Sequence, residues 1–443
     1  MKKIIMGVMA AGVACAVFAT DARVETMGRT DRFFSDEISI HQNAANLGLY
    51  DKIMYGSYGL FNSDSYNPEL PYFGGAISFG QKENSRSKFS VGVTFNRVDS
   101  ALNYVMFNID SLGLRYPYAK LKKTTGGKTY HPEDINLTDR AVNYLGNNIE
   151  GKWPVDGPHS VDLVGKIDIM LAKTLSNGTT IGLGAYLAFQ DSTKSSEDGF
   201  KNRYVRGNVG VNTQIGDGIN LEASVALSAL TLIGEIVEPY ELDKPYYAAA
   251  DNDIGTTIDV RMFADVASIN AAFVPHIQAN IIQYACGREK IIDFNAGLGF
   301  NLNIDRGFFW TGIEGFYTKK SLAFIKYDND DNLPHFGSKD VIGGKVGFGI
   351  ERNVLTDWFV IRVGGGKILA KESLADGKEG SKWVENPDGD HVSLGMGVNI
   401  EDRLKIDFTV SNNIPYTFTN LFSGSNSGKS TYISSRVSAV FAF

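Results

Sequence analysis

Apolar residues alternate with small or polar ones at a period of two from Asp51 to the final Phe443, and this alternation limits the possible folds more than any motif does. In SKFSVGVTFN, Phe89, Val91, Val93 and Phe95 share one face, while Ser90, Gly92, Thr94 and Asn96 share the other. Such a pattern marks a strand whose two faces meet unlike surroundings. Leu183, Ala185 and Leu187 repeat it, as do Ala296, Leu298 and Phe300 against Asn295, Gly297, Gly299 and Asn301. The closing stretch TYISSRVSAVFAF sets Val437, Ala439, Phe441 and Phe443 in one register and Arg436, Ser438, Val440 and Ala442 in the other. One face suits lipid and the other suits water, as in the closing strand of a membrane barrel.

Sixteen stretches carry the pattern: 51–61, 72–81, 87–97, 159–174, 179–190, 203–215, 218–229, 256–266, 270–282, 291–303, 307–318, 340–352, 357–367, 390–400, 403–412 and 431–443. Most reach the ~9–11 residues that a tilted strand needs to cross a bilayer. Short connections at 175–179, 216–218, 305–307, 353–357 and 401–403 alternate with long polar ones at 98–158, 191–202, 230–255, 319–339, 368–389 and 413–430. Short turns at one end and long loops at the other are the rule for such barrels. The predicted fold is all-β: a transmembrane antiparallel β-barrel of sixteen strands over residues 51–443, with a short N-terminal luminal plug at 20–50. Fourteen strands is the alternative, because Pro275 interrupts one stretch and the apolar run up to Val237 would suit a helix within 230–255. A soluble β-sandwich would also alternate, but it has no need of an aromatic chain end. The absence of an internal repeat argues against a propeller.

Composition agrees with a barrel: 48 glycines, 27 Phe, 20 Tyr and 4 Trp, with only 12 prolines. Lys2 and Lys3, the apolar run Ile4–Phe18, and the small residues Val17 and Ala19 read as a secretory signal peptide at 1–19. Cleavage is expected after Ala19, with Ala22 the alternative; a lipoprotein cut before Cys15 would want a large aliphatic where Gly12 stands. Losing two lysines takes the net charge from -7 to -9, which argues against nucleic acid as a partner. Cys286 is then the single cysteine, so no internal disulfide is expected.

The polar face carries Asp162, Lys166, Asp168, Arg206, Glu222, Asp259, Arg261, Asp265, Glu314, Lys345, Glu351, Arg362, Glu401, Lys405, Asp407 and Arg436. An ionised group facing hydrocarbon costs ~2–4 kcal/mol near the midplane, so these side chains are expected in the lumen. There they would line a wet channel or pair with one another, and their mixed signs do not suit strong ion selectivity.

Residues 20–50, TDARVETMGRTDRFFSDEISIHQNAANLGLY, do not alternate, and a short helix is predicted from Ser35 to Leu47 with Ser35 as its cap. Met27-Gly28-Arg29, then Ser35-Asp36-Glu37-Ile38-Ser39, then Asn43-Ala44-Ala45-Asn46-Leu47 make this segment resemble the N-terminal hatch of FadL-type outer-membrane transporters of hydrophobic compounds. That hatch carries a glycine, an Asp-Asp-Ala-Ser-like stretch and Asn-Pro-Ala-Gly. The match spans about twenty-five residues plus the general architecture and departs at Ala44 and Asn46, where the family has proline and glycine. The resemblance implies a hatch, built around Gly28, Arg29, Asp36, Glu37, Asn43, Ala44, Ala45 and Asn46, that shifts to admit an apolar ligand. The family's barrels have fourteen strands.

Other motifs are weaker. GSNSGKST at 424–431 lacks a P-loop's spacing, since three residues separate Gly424 from Gly428 where four are needed, and a strand follows it. DNDDN at 328–332 offers oxygen ligands, but Leu333 and Lys339 occupy the EF-hand's glycine and glutamate places. The six histidines are scattered, and His391 and Ser393 share a face as any residues two apart in a strand do. An enzyme, a cofactor and a metal site are therefore not expected. Tyr116, Tyr118, Tyr130 and Trp153 in the loop 98–158 suit a lid or a binding surface.

These features point to the bacterial outer membrane, with outer-membrane lipid, the barrel-assembly machinery and a small apolar ligand as partners. The leading expectation is a channel or transporter of small apolar molecules. The rival is a plugged barrel acting as a structural, secretion-associated or surface-binding scaffold.

Overall fold

The computed structural model describes residues 21–59, 71–80, 87–99, 165–192, 200–235, 246–284, 289–327, 334–354, 357–374, 382–385, 391–401, 403–411 and 436–443. The leader 1–19, Asp162, Cys286, DNDDN, GSNSGKST and the loop aromatics named above lie outside them.

Seventeen strands form one antiparallel sheet. They are β1 (Lys52–Gly59), β2 (Tyr72–Phe79), β3 (Lys88–Phe95), β4 (Gly165–Thr174), β5 (Thr180–Ser192), β6 (Phe200–Gly216), β7 (Ile219–Glu235), β8 (Tyr246–Val266), β9 (Ala271–Tyr284), β10 (Glu289–Ile304), β11 (Gly307–Tyr327), β12 (Pro334–Asn353), β13 (Phe359–Leu374), β14 (Lys382–Glu385), β15 (His391–Ile400), β16 (Leu404–Ser411) and β17 (Arg436–Ala442). Strand β14 pairs only with the upper part of β13, whereas β15 pairs with its lower part. Sixteen strands therefore go round the wall. The ring closes where β1 pairs with β17 over Ile53↔Ala442 to Gly59↔Arg436, so each of the sixteen wall strands has a partner on both sides.

Pro275 does not reduce the count. It sits inside β9 opposite Leu298 of β10. On its other side the β8–β9 ladder lapses between Arg261↔His276 and Ala264↔Phe273, so the missing N–H falls where no bond is made. The helix considered within 230–255 does not form in the described part, because β7 runs on to Glu235 and β8 begins at Tyr246. Strands β11 and β12 likewise extend past the predicted loop boundaries, to Tyr327 and from Pro334. The tight turns all lie at one end, where Gly178, Gly218, Asn270, Arg306 and Glu401 take up left-handed backbone. Glu401 belongs to such a turn and is exposed, so it is not a lumen residue as its register had suggested.

Burial alternates along the strands in the sense that the sequence predicts. Phe73, Leu227 and Ile313 face outward and are 62%, 60% and 61% exposed, while Ser393, Asp407 and Thr409 face inward and are fully buried. A band of exposed Phe, Leu, Ile and Val circles the sheet. A continuous apolar surface of that extent marks a membrane-facing wall. Among the described residues no helix is long and apolar enough to cross a membrane.

Candidate functional site: the N-terminal segment against the inner wall

Residues 21–50 lie against the inward faces of the strands, and most of them are buried. The predicted helix Ser35–Leu47 is absent. A six-residue helix, α1 (Asp21–Thr26), comes first, and two 3-10 turns follow at Glu37–His41 and Ala44–Leu49. The side chains of Asp36 and Asn43 cap these turns by accepting from the N–H groups of Ile38 and Ala45. Each cap restarts the chain, so no long helix accumulates. The tight turn at Ala44–Asn46 forms without proline or glycine because Asn43 supplies the cap.

The wall makes room by omitting side chains. Phe33 rests on Gly297, Gly299 and Gly312, where added Cβ atoms would lie 3.1, 2.5 and 2.8 Å from its ring. A Cβ at Gly364 would lie 2.5 Å from the Thr26 carbonyl oxygen, and one at Gly395 would lie 2.5 Å from the Thr26 methyl. Cβ atoms at Gly182 and Gly210 would collide with Ala45 and with Asn43. These inward glycines are spread over β5, β6, β10, β11, β13 and β15 and outline the segment's path. Gly28 and Arg29 turn the chain in left-handed backbone, with φ of 95° and 56°, and Gly28 is pressed against Trp310.

Ionic groups fasten the segment at three places. At the first, Arg23 forks onto Glu351, with Nη2–Oε1 at 2.7 Å and Nε–Oε2 at 2.8 Å. Arg362 bridges the same Glu351 at 2.9 Å to Asp407 at 2.6 Å. The Arg23 guanidinium also lies over the Phe34 ring, 5.1 Å from its centroid. Ala22 N–H donates to Ser438 Oγ at 3.2 Å, and Ser393 Oγ donates to the Glu25 carbonyl at 3.0 Å.

At the second place, Arg32 donates to Glu314 at 2.6 Å and to Gln278 at 2.7 Å. Arg261 donates to the Asp31 carbonyl at 2.7 Å and to Glu222 at 2.7 Å. Trp310 Nε1 and Asn301 Nδ2 donate to the carbonyls of Met27 and Phe33 at 2.9 and 2.6 Å. Phe33 sits edge-on to His276 at 5.8 Å and tilted against Trp310 at 5.6 Å.

At the third place, Asn46 Nδ2 donates to Glu222 at 2.9 Å, Asn212 Nδ2 donates to Asn46 Oδ1 at 2.9 Å, and Asn43 Nδ2 donates to the Val211 carbonyl at 3.1 Å. His41 Nδ1 lies 3.0 Å from Asp168, which Arg97 also grips at 2.5 Å. Arg206 donates to the His41 carbonyl at 3.2 Å.

These surroundings set the charge states of the segment. Burial raises the pKa of Asp36, with Arg23 opposing it. Burial and the neighbouring Asp36 raise that of Glu37. Burial and then the Arg97 guanidinium lower that of His41, against the pull of Asp168, so the imidazole is neutral at pH 7. Burial works against the charge on Arg23, but Glu351, with Asp36 and Glu37, holds its pKa above the ordinary arginine value, so it stays charged.

Of the residues singled out in the sequence, Arg206, Glu222, Arg261 and Glu314 touch the segment directly, and Arg362 acts through Glu351. Arg436 faces inward beside Thr409 and is half-buried. Asp36, Glu37, Asn43, Ala44, Ala45 and Asn46 are all buried, while Arg29 is part-exposed and pairs with Glu25 of its own segment at 3.1 Å. Sequence reasoning missed Arg23, Arg32, Phe33, Trp310 and the inward glycines. The aromatic pair Phe33-Phe34 in a polar stretch was the available signal.

Fold and geometry together define a closed sixteen-strand transmembrane barrel with a polypeptide segment bound to its inner wall. No family model and no curated protein matches the chain. It is similar to solved structures that include the toluene transporter TodX of Pseudomonas putida, at 11% identity over 95% of this chain and 98% of that one with a TM-score of 0.36. A loop-deletion variant of OmpT, an outer membrane protein of Vibrio cholerae, is 8% identical over 88% and 99% of the two chains, with a TM-score of 0.34. BamA of Haemophilus ducreyi lacking POTRA domains 1–3 is 8% identical over 88% and 70%, with a TM-score of 0.36. The fold assignment rests on the strand ladder, not on these values.

Proposed function

We propose that the protein is a bacterial outer-membrane channel or transporter for small apolar molecules, in which residues 20–50 act as a plug. The observation that carries this reading is the separability of plug and wall. Every strand of the ring takes its backbone bonds from neighbouring strands, while the segment is attached through side chains and glycine-cleared seats. An insert held in this way can shift without breaking the barrel. The aromatic cluster of Phe33, Phe34, Phe308 and Trp310 is a surface on which an apolar solute can replace the plug's own rings, which supports an apolar cargo over an ionic one.

The ion pairing favours a second reading. Glu222, Glu314, Glu351 and Asp168 are each engaged by an arginine, so the inner wall is braced as a permanently filled barrel would be, and the protein would then serve as a scaffold. Planar-bilayer conductance and uptake of an apolar dye by proteoliposomes, with the full chain and with residues 20–47 deleted, separate the two. Conductance and uptake that rise on deletion support the transporter. A deletion variant that is folded and silent leaves the scaffold.

A further inference from the structure

The barrel has two classes of glycine, and they differ in what forces them. The inward glycines named above are required, because a Cβ there would strike the N-terminal segment. Gly315 of β11 and Gly344 of β12 face outward, directly opposite one another in the ladder. An added Cβ would meet nothing nearer than 3.9 Å at Gly315 and 3.7 Å at Gly344. The wall therefore tolerates side chains at both positions but carries none. With Ala296 of β10 opposite Gly315, they form the floor of a trough crossing three strands on the lipid-facing surface.

The trough has built sides. Leu298, Ile313 and Val346 form the ridge nearer the tight turns, and Tyr317 and Ile342 form the ridge nearer the long loops. The space over this floor, lined also by Leu298, Ile313, Val346, Lys367 and Leu369, measures about 590 Å³, within the ~300–1,000 Å³ typical of small-molecule pockets. At the β13 end, Leu369 stands opposite Gly344, flanked along the strand by outward Lys367 and Lys371. These lysines lie eight and twelve residues beyond Phe359, where β13 begins. At ~3.3 Å per residue and a tilt of ~40°, that places them about 20 and 30 Å from the tight-turn end. They thus bracket the far edge of an apolar band ~25 Å tall, at the level of lipid headgroups.

We propose that this trough is a binding site for one anionic phosphorylated lipid: an acyl chain fills the row left open by Ala296, Gly315 and Gly344, and Lys367 and Lys371 hold the phosphate. The inference rests on the transmembrane reading. Acyl chains gain little by leaving other chains for an apolar wall, so selectivity comes from shape and from the two cations. Each lysine near a charged lipid surface contributes ~1 kcal/mol, so the pair gives a preference for anionic lipid of roughly thirtyfold.

The test uses the full-length protein in vesicles of phosphatidylethanolamine and phosphatidylglycerol, with retained lipid counted by native mass spectrometry after mild extraction. The wild-type protein is expected to retain phosphatidylglycerol in preference to phosphatidylethanolamine. A Gly315→Leu/Gly344→Leu variant fills the trough and loses the bound lipid. A Lys367→Gln/Lys371→Gln variant, which keeps the glycine floor and the apolar ridges, loses the preference by tenfold or more. Equal retention by all three proteins, each inserted in the vesicles, overturns the lipid site alone. Failure of the wild-type protein to insert, read from its release by alkaline carbonate, overturns the transmembrane reading as well.

Discussion

Phe33→Ala isolates the largest apolar anchor of the N-terminal segment. The ring is 4% exposed, lies against three inward glycines, and touches His276 and Trp310. All of these partners belong to the wall, and its three glycines have no side chain to fill the space. Truncating a buried Phe to Ala typically costs ~3–5 kcal/mol when the surroundings cannot collapse. That magnitude falls on the equilibrium between seated and released segment, because none of the strand ladder's bonds involves Phe33. At ~1.4 kcal/mol per factor of ten, the released population rises by about a hundredfold to a few thousandfold. Arg29 and Arg32, both just before Phe33 in the segment, are trypsin sites that release exposes, so with fast opening and slow cleavage the digestion rate rises by the same factor. The melting of the barrel, followed by its heat-dependent electrophoretic shift, stays at the wild-type temperature. An unchanged digestion rate would refute the claim that Phe33 anchors the segment, and simultaneous loss of the barrel would refute the claim that segment and wall are energetically separate.

Two further outcomes follow from the same geometry. Gly364→Leu places a side chain against the backbone of Thr26 and Met27 and is expected to unseat the start of the segment and raise planar-bilayer conductance, whereas the same change at outward Gly344 leaves conductance as it was. The pKa of His41 is lower when it is buried than when it is released, so its contribution to seating is fully present above the ordinary histidine value of ~6.5 and is lost as the pH falls toward the seated value. Asp36 and Glu37, whose pKa values burial raises, act in the opposite sense, so the histidine's share is read by difference: on going from pH 7.5 to pH 5, amide exchange over residues 37–49, corrected for intrinsic rates, should accelerate more in the wild-type protein than in His41→Asn.

The wall was legible in the sequence because hydrocarbon imposes a strict rule: each lipid-facing residue of β3, β5 or β17 must be apolar, and its neighbours are then free to be polar. Beyond the apolar band that rule lapses, and for this reason the far ends of β7, β8, β11 and β12 read as loops although their ladders continue. The fixing of the N-terminal segment was far less legible. Its two Asx caps, at Asp36 and Asn43, lie seven residues apart and imitate the spacing of a single helix, so only the bonds they make distinguish two turns from one. Inward glycines such as Gly182 and Gly364 carry no sign of which face they occupy or what fills the space above them. The charges of Arg261 and Glu222 showed that they belong in the lumen, but not that they would grip the carbonyl of Asp31 and the amide of Asn46.

The hydrogen bond from Ala22 to Ser438 joins residues 416 positions apart, and Ser438 in turn shares a hydrogen bond with Ser57 across the β1–β17 closure. The seat of the segment is thus assembled from strands at both ends of the chain, and its binding surface does not exist until the ring is shut. A segment translated before the wall must wait in solution, its arginines and carboxylates hydrated, until the last strand arrives. Such long-range contacts are slow to form. Docking of the N-terminal segment is therefore a built-in report of completed assembly: a barrel lacking its final strand would hold its early residues loose and exposed to proteases.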